Sequence, residues 1–228
     1  MAPLLPFAEN IWLAEGSEVS VAGFRFPTRA AVIKLTDGTL FIWSPIHLSA
    51  ELRDAIDALG IVRHIVAPNS LHHLFLPEWK QAYPGAVLYA PPGLREKRKD
   101  IAFDADITAS VPWASEIDHI AMSGNRITTE IVFFHRTSGT VLFTDLLQQI
   151  PPHMVRGWRA LVARLDKMTG SEPQVPHKFR FAFTDRAAGR AALRTILAWP
   201  VEKVVMAHGM PVEHDAGVYL RRAFAWLD

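Results

Sequence analysis

Short apolar runs separated by turns occupy the first 45 residues and predict a series of β-strands. The runs cover residues 10–13, 19–26, 30–35 and 39–43, and they are rich in β-branched or aromatic side chains. The Asp37-Gly38 pair between the last two runs is typical of a tight hairpin turn. The chain is therefore predicted to open as a β-meander.

Beyond residue 48 the apolar positions take a helical period that alternates with further strands. Leu52 and Ile56 share one helical face, Ser49 is a suitable N-cap, and Gly60 is a suitable stop. Similar patterns predict helices over residues 71–83, 154–168, 185–199 and 216–227, and strands over residues 61–67, 86–90, 117–122, 130–136, 140–144 and 203–207. Two halves that each mix strands with outer helices predict an α/β fold, a four-layer α/β/β/α sandwich. Because no linker or close repeat divides the chain, we expect one domain over residues 1–228.

The composition of the chain argues against several classes of binding partner and metal site. The 228 residues are 50% hydrophobic and carry a formal net charge of +1, which gives no electrostatic case for a nucleic-acid partner. The chain has no cysteine, so disulfides and thiolate metal ligands are excluded. Neither a signal peptide nor an apolar run long enough to span a bilayer is evident, so we expect a cytoplasmic protein without a membrane partner.

Three apolar runs end in residues that bind metals in other proteins. Residues 65–71 lead into His72 and His73, residues 141–144 lead into Asp145, and residues 204–207 lead into His208. Ligands of open α/β sheets bind at the ends of strands. Imidazole and carboxylate groups together could hold one zinc or iron ion.

The order of these segments resembles the metallo-β-lactamase-like superfamily. In that superfamily a strand ends in a His-x-His-x-Asp-His loop, and the aligned segment here reads PNSLHH over residues 68–73. Pro68 and Ser70 replace the first two histidines, His72 replaces the aspartate, and His73 matches the last histidine. The usual first metal site therefore has lost ligands in this chain.

Two further motifs of the superfamily can be placed along the chain. Gly124-Asn125-Arg126 occupies the place of a Gly-His-Thr segment, so that histidine is also missing. Asp145 matches the bridging aspartate and His208 the final histidine. Longer segments, PNSLHHLFLPEW over residues 68–79 and EIVFFHR over residues 130–136, resemble an uncharacterised, divergent branch of the superfamily, a domain family of unknown function.

The resemblance implies at most one metal ion, held by His73, Asp145 and His208, with His72 in place of the missing aspartate. Zinc suits these ligands best, although iron or manganese fits nearly as well, and an empty site is the alternative. A water activated by the ion would attack an ester, amide or thioester of a small-molecule substrate. Asp145 is then part of the catalytic centre, and Glu130 is a candidate general base.

Structural roles for the same residues stay open. His72 and His73 could cap a helix, and Asp145 could cap the turn before Leu146. His208 could be a turn histidine with its hydrogen bonds satisfied, and Glu130 could be an exposed carboxylate at the start of a strand. The loss of four usual ligands also supports a second function. In that hypothesis the fold has lost catalysis and serves as a ligand-binding or protein-interaction module.

Overall fold

The computed structural model describes residues 3–21 and 23–228. The chain forms two compact units: Met1–Ser17 with Thr28–Glu116, and Glu18–Pro27 with Ile117–Asp228. Each unit carries its own helices and sheet strands, and the single-domain interpretation stays a prediction. Among the described residues, no helix is both long enough and apolar enough to cross a membrane.

Seven strands form the first sheet. They are β1 (Leu5–Ala8), β2 (Ile11–Val21), β3 (Phe24–Lys34), β4 (Thr39–Trp43), β5 (Ile61–Val66), β6 (Val87–Ala90) and β7 (Ala105–Asp106), in that spatial order. The pairs β1–β2 and β3–β4 are antiparallel, and the pairs from β4 to β7 are parallel. The first unit also contains α1 (Ala50–Asp57), α2 (Leu76–Ala82) and α3 (Leu94–Lys97). The predicted change from hairpins to alternating helices and strands is confirmed.

Local sequence signals explain the position of α1. The Ser49 side chain accepts the N–H of Leu52, as expected of an N-cap, and Leu52 and Ile56 are buried against the sheet core. The tryptophan of α2 is also fixed, because Trp79 Nε1 donates to the carbonyl oxygen of Ile46 at 2.6 Å. Apolar burial thus holds α1 against the sheet, and a buried hydrogen bond ties α2 to the connection between β4 and α1.

Four strands form the second sheet, in the spatial order β11-β10-β9-β8. They are β8 (Ile117–Met122), β9 (Glu130–His135), β10 (Thr140–Gln148) and β11 (Lys203–His208). Strands β8, β9 and β10 are antiparallel neighbours, and β11 runs parallel to β10. The helices of this unit are α4 (Trp158–Leu165), α5 (His177–Ala182), α6 (Arg186–Ala198) and α7 (Ala216–Phe224), with 3-10 turns at Pro152–Met154 and Ala225–Leu227.

Several predicted boundaries were wrong. The helix expected over residues 71–83 begins only at Leu76, because the Asn69 side chain accepts the N–H groups of Leu71 and His72 and holds a turn there. The helix expected over residues 154–168 is shortened to α4, and α5 was missed. Strands predicted at residues 10–13 and 19–26 belong to the long strands β2 and β3, and Ala22 between them lies outside the described residues.

Candidate metal centre

Asp145 of β10 and His208, the last residue of β11, come together where the regular pairing of these two parallel neighbours ends. The strands pair in register up to Phe143 and Met206, and the register then shifts so that Gln148 pairs with His208. Both side chains are buried, and His208 Nε2 lies 3.7 Å from Asp145 Oδ1. Two potential metal ligands thus meet within the second unit.

A backbone contact sets the protonation of the His208 ring. Its Nδ1 lies 2.6 Å from the carbonyl oxygen of Pro27, and a carbonyl oxygen can only accept a hydrogen bond. Nδ1 therefore carries the proton, and in the neutral ring Nε2 has the lone pair. The Phe26 ring packs beside the imidazole with a centroid distance of 5.5 Å. The Nε2 atom is thus the ring nitrogen that faces the carboxylate of Asp145.

The carboxylate of Asp145 is held by a neighbouring amide. Gln148 Nε2 donates to Asp145 Oδ1 at 3.0 Å, and both residues are buried. A metal ligand usually has such a partner, which fixes its orientation. Gln148 was not among the predicted site residues, although a polar residue next to the apolar run of β10 is a signal that could have identified it.

Glu130 organises the backbone around Asp145. Its carboxylate accepts the N–H groups of Thr144 at 2.7 Å, Asp145 at 2.8 Å and Leu146 at 3.0 Å. Three consecutive N–H groups on one carboxylate require a departure from the strand pattern, which agrees with the register shift of β10. The alternative expectation that Glu130 is an exposed carboxylate was wrong, since the residue is fully buried.

Burial raises the pKa of Glu130 to about 7. The negative charge of Asp145 adds to this rise in pKa, and the N–H groups of Thr144 and Leu146 oppose it. Asp145 and the ionised form of Glu130 together create a negative potential beside residues 144–146. Such a potential favours a cation.

Lys178 of α5 is a cation that the sequence analysis missed. Its Nζ lies 3.1 Å from Met168 Sδ, 3.5 Å from Gln148 Oε1 and 3.6 Å from Asp166 Oδ2. Burial lowers the pKa of Lys178, while the charges of Asp166 and Asp145 raise it. No periodic pattern marks this lysine, because its place depends on how α5 packs in the folded unit.

His72 lies in the turn before α2, in the first unit. Its Nδ1 lies 2.9 Å from the hydroxyl oxygen of Ser44, which is buried and has a positive φ of 53°. Asn69 accepts the backbone N–H of His72 at 3.2 Å. The ring is thus oriented through one nitrogen, which is how many metal-binding histidines are held.

His73 has a different neighbourhood in the same turn. The Arg98 guanidinium lies 2.7 Å from His73 Nδ1 and also contacts the carbonyl oxygen of His73. Burial, together with the charges of Lys97 and Arg98, lowers the pKa of His73 to about 4. These cations disfavour a metal ion beside this ring.

Asn125, which the sequence resemblance predicts in the place of a superfamily histidine, makes a structural contact. Its Nδ2 donates to the carbonyl oxygen of Phe179 at 2.9 Å, and its Oδ1 accepts the N–H of Ile127. The side chain therefore ties the start of the β8–β9 connection to α5. Among the predicted site residues, the second unit brings together Asp145, His208 and Glu130, and the first unit holds His72 and His73 with separate partners.

A family match covers most of the chain. Residues 8–169 match the family described as domain of unknown function DUF4336. The chain belongs to this family. The match includes His72, His73, Glu130 and Asp145 but not His208. It confirms the predicted membership of an uncharacterised branch, and no curated protein matches the chain.

Solved structures with similar folds carry little sequence similarity to this DUF4336 protein. The DIM-1 metallo-β-lactamase exposed to ceftazidime matches with a TM-score of 0.66 and 13% identity over 99% of this chain and 97% of its own. The FIM-1 metallo-β-lactamase from Pseudomonas aeruginosa, in its mono-zinc form, matches with a TM-score of 0.65 and 11% identity over 98% of this chain and 92% of its own. The metal-soaked Flv1 flavodiiron core from Synechocystis sp. PCC6803 matches with a TM-score of 0.65 and 12% identity over 98% of this chain.

These likenesses confirm the predicted fold class. The DUF4336 protein has the α/β fold of the metallo-β-lactamases, with two sheets and associated helices. It spans 60% of the Flv1 core, so it corresponds to part of that longer chain. At identities of 13% or less, these similarities establish the fold and leave the chemistry to the residues themselves.

Proposed function

We propose that this protein is a metal-dependent hydrolase with a single metal ion and a small-molecule substrate in the cytoplasm. The observation that carries the proposal is the pair of Asp145 and His208. A neutral His208 directs the Nε2 lone pair at a carboxylate oxygen 3.7 Å away, and two lone pairs at this distance repel unless a cation lies between them. The separation suits two ligands that each lie about 2.1 Å from one ion.

Further ligands come from the sequence resemblance. Within the proposal His72 is the preferred third ligand, because Ser44 orients its ring without adding a charge. His73 stays a predicted fourth ligand, but its contact with the Arg98 guanidinium weighs against it. Zinc is the preferred ion, with iron or manganese as substitutes, since imidazole and carboxylate suit all three. The FIM-1 structure supports this proposal, because a mono-zinc form occurs on the same fold.

A bound divalent ion would supply Lewis-acid activation of water and of an ester, amide or thioester carbonyl. The residues of this chain would supply the rest. Gln148 orients Asp145, and the Pro27 carbonyl orients His208. We assign Glu130 a positioning role instead of the role of general base, because its carboxylate is fully buried and accepts three backbone N–H groups. Lys178 is a candidate for neutralising a negatively charged substrate or intermediate.

A second function has one observation in its favour. If His208 is protonated at both nitrogens, the same pair is a buried ion pair that needs no metal. In that case the fold would serve as a ligand-binding or protein-interaction module. The two functions differ in metal content, which can be measured directly.

The test is elemental analysis of protein purified without a histidine tag and without chelators. We expect about one zinc, iron or manganese ion per chain, and a rise in melting temperature when the ion is added to stripped protein. Asp145→Asn and His208→Gln should each abolish both effects. Glu213→Gln and His214→Gln are matched controls, because both residues are exposed and lie in the same unit.

A protein that contains no metal and shows no thermal shift with any of the three ions would overturn the proposal. Metal content that is equal in Asp145→Asn and in wild type would also overturn it, because the ion would then lie elsewhere. Retention of metal by the two controls shows that a loss in the site variants is specific.

A further inference from the structure

The helix α4 packs small residues against the core and exposes its large apolar residues, whereas an ordinary surface helix buries them. Ala163 is buried and Ala160 is half-buried, and both pack on a core cluster with Phe26, Ile150 and Met168. The large apolar side chains of α4 point the other way and are exposed: Trp158 by 62%, Leu161 by 59%, Val162 by 38% and Leu165 by 65%. Their spacing of i, i+3, i+4 and i+7 makes one continuous apolar stripe on the solvent side.

The stripe is bordered by basic residues. Arg159 and Arg164 lie on its two edges, while Arg156 and Lys167 lie just beyond the two ends of the helix, and all four are exposed. The only acidic residue in this segment, Asp166, is 3.6 Å from the Lys178 ammonium and accepts the Lys178 backbone N–H. The charge presented around the stripe is therefore strongly positive.

Phe24, the first residue of β3, extends the same surface. Its ring meets the Trp158 indole edge to face, with centroids 6.4 Å apart. Residues 18–27 belong to the same unit as α4. A contiguous exposed apolar surface of this kind marks a binding site more often than a solvated face.

We propose that α4 docks this protein on an anionic membrane surface. An apolar stripe with Trp and Leu, bordered by arginines on both edges, is the arrangement by which a surface helix buries its apolar face at the acyl boundary. The arginines can then reach the lipid phosphates on either side. The site differs from the proposed metal centre and does not depend on it.

The charge distribution distinguishes this occupant from a second copy of the chain. A two-fold interface would place the arginines of one α4 against those of its partner, and like charges at an interface are unfavourable. Anionic headgroups are complementary to all four basic residues. The sequence-based expectation of no membrane partner rested on the lack of a spanning segment. That criterion does not test for a helix that lies in the membrane surface.

The test is flotation of the full chain with vesicles of phosphatidylcholine, with or without phosphatidylserine. We expect binding to the anionic vesicles only, with loss of binding at high salt. Leu161→Ser and Leu165→Ser should each weaken binding by about tenfold, since each removes one buried leucine from the contact. Arg164→Gln should weaken it by about fivefold.

Matched controls come from other surfaces. Ile61→Ser removes an apolar side chain that is 73% exposed in the first unit, and Arg194→Gln removes an exposed arginine of α6. Both should bind as wild type does. Because all these residues are exposed, the melting temperatures should stay close to that of wild type, which shows that loss of binding is not loss of folding.

Two outcomes would overturn the proposal. One is an absence of binding to anionic vesicles, or binding that Leu161→Ser and Leu165→Ser leave unchanged. The other is self-association in solution that these two variants abolish, measured by sedimentation without vesicles, since that would make the stripe an interface between copies of this chain.

Discussion

The Nε2 atom of His208 lies 3.7 Å from Oδ1 of Asp145, and different partners orient the two side chains. The Pro27 carbonyl accepts from the imidazole, and the Gln148 amide donates to the carboxylate. The two potential ligand atoms are therefore held in place before any ion binds. Preorganisation of this kind raises affinity, because little has to be ordered on binding.

Removing the amide should weaken metal binding without unfolding the protein. Gln148→Leu keeps most of the side-chain volume and removes the donor to Asp145, so the affinity for zinc should fall by about ten- to a hundredfold. Competition with a chromogenic chelator measures this affinity. Gln149→Leu is the control, since that amide donates to the Gly170 carbonyl instead. Equal affinities in the two variants would show that Gln148 does not orient the ligand.

The three N–H groups on Glu130 should make that carboxylate a large contributor to stability. Glu130→Gln leaves an amide NH2 facing backbone donors, and the free energy of unfolding should fall by about 2–4 kcal/mol. Urea denaturation measures the loss. Glu202→Gln changes an exposed glutamate of the same unit and should cost less than about 0.5 kcal/mol. A loss for Glu130→Gln no larger than that of the control would contradict this account of the buried carboxylate.

Gly124 should not tolerate a side chain. Its φ is +87°, and an added Cβ would overlap the carbonyl oxygen of Asp185. Gly124→Ala should therefore lower the free energy of unfolding by about 1–3 kcal/mol. Gly85→Ala is the control, because its surroundings are open and its φ is not positive. Thermal melts of the two variants compare the effects, and identical melting temperatures would refute the expected clash.

Stability should fall in mild acid because of His64. Burial lowers the pKa of His64 from 6.5 to about 4, with a further contribution from the Arg63 charge. Between these two pH values the unfolded chain binds more protons at this position than the folded chain, so stability is full above 6.5 and is lost as the pH falls. The loss should amount to no more than about 3 kcal/mol.

His64→Gln removes this titration while keeping a polar side chain beside Tyr89 and Trp113. The difference in unfolding free energy between wild type and variant should therefore be largest at neutral pH and shrink toward pH 4. Urea denaturation at a series of pH values provides the measurement. A difference that does not change with pH would mean that His64 titrates normally in the folded protein.

Local signals in the sequence were enough to predict part of the fold. The Ser49 cap begins α1 as predicted, and the Asp37-Gly38 pair produces a turn with Gly38 at a φ of +82°. The helix ends at Asp57 with Ala58 as its C-cap, so the predicted stop at Gly60 was wrong. The cap and the turn depend on residues only a few positions apart, so short sequence patterns are enough to predict them. The pairing of Asp145 with His208 was also accessible, because both follow apolar runs that form neighbouring parallel strands.

Features set by distant residues escaped prediction. The burial of Glu130 depends on backbone donors 14 to 16 residues further along the chain. Lys178 reaches Gln148 only because α5 packs nearby, and the sequence has no marker for that contact. For α4 the apolar spacing indicated a helix, but nothing in the spacing says that the large residues face solvent and the alanines face the core.

The carboxylate of Glu130 binds the main chain of residues 144–146, and none of those contacts involves the side chain at position 145. The shape of the strand end is therefore independent of which ligand that position carries. Under the proposed function, a thiolate or an imidazole could stand there on the same backbone, and each would favour a different metal. Ion preference and architecture would then be separable, and position 145 would be the place at which the first can be changed while the second is kept.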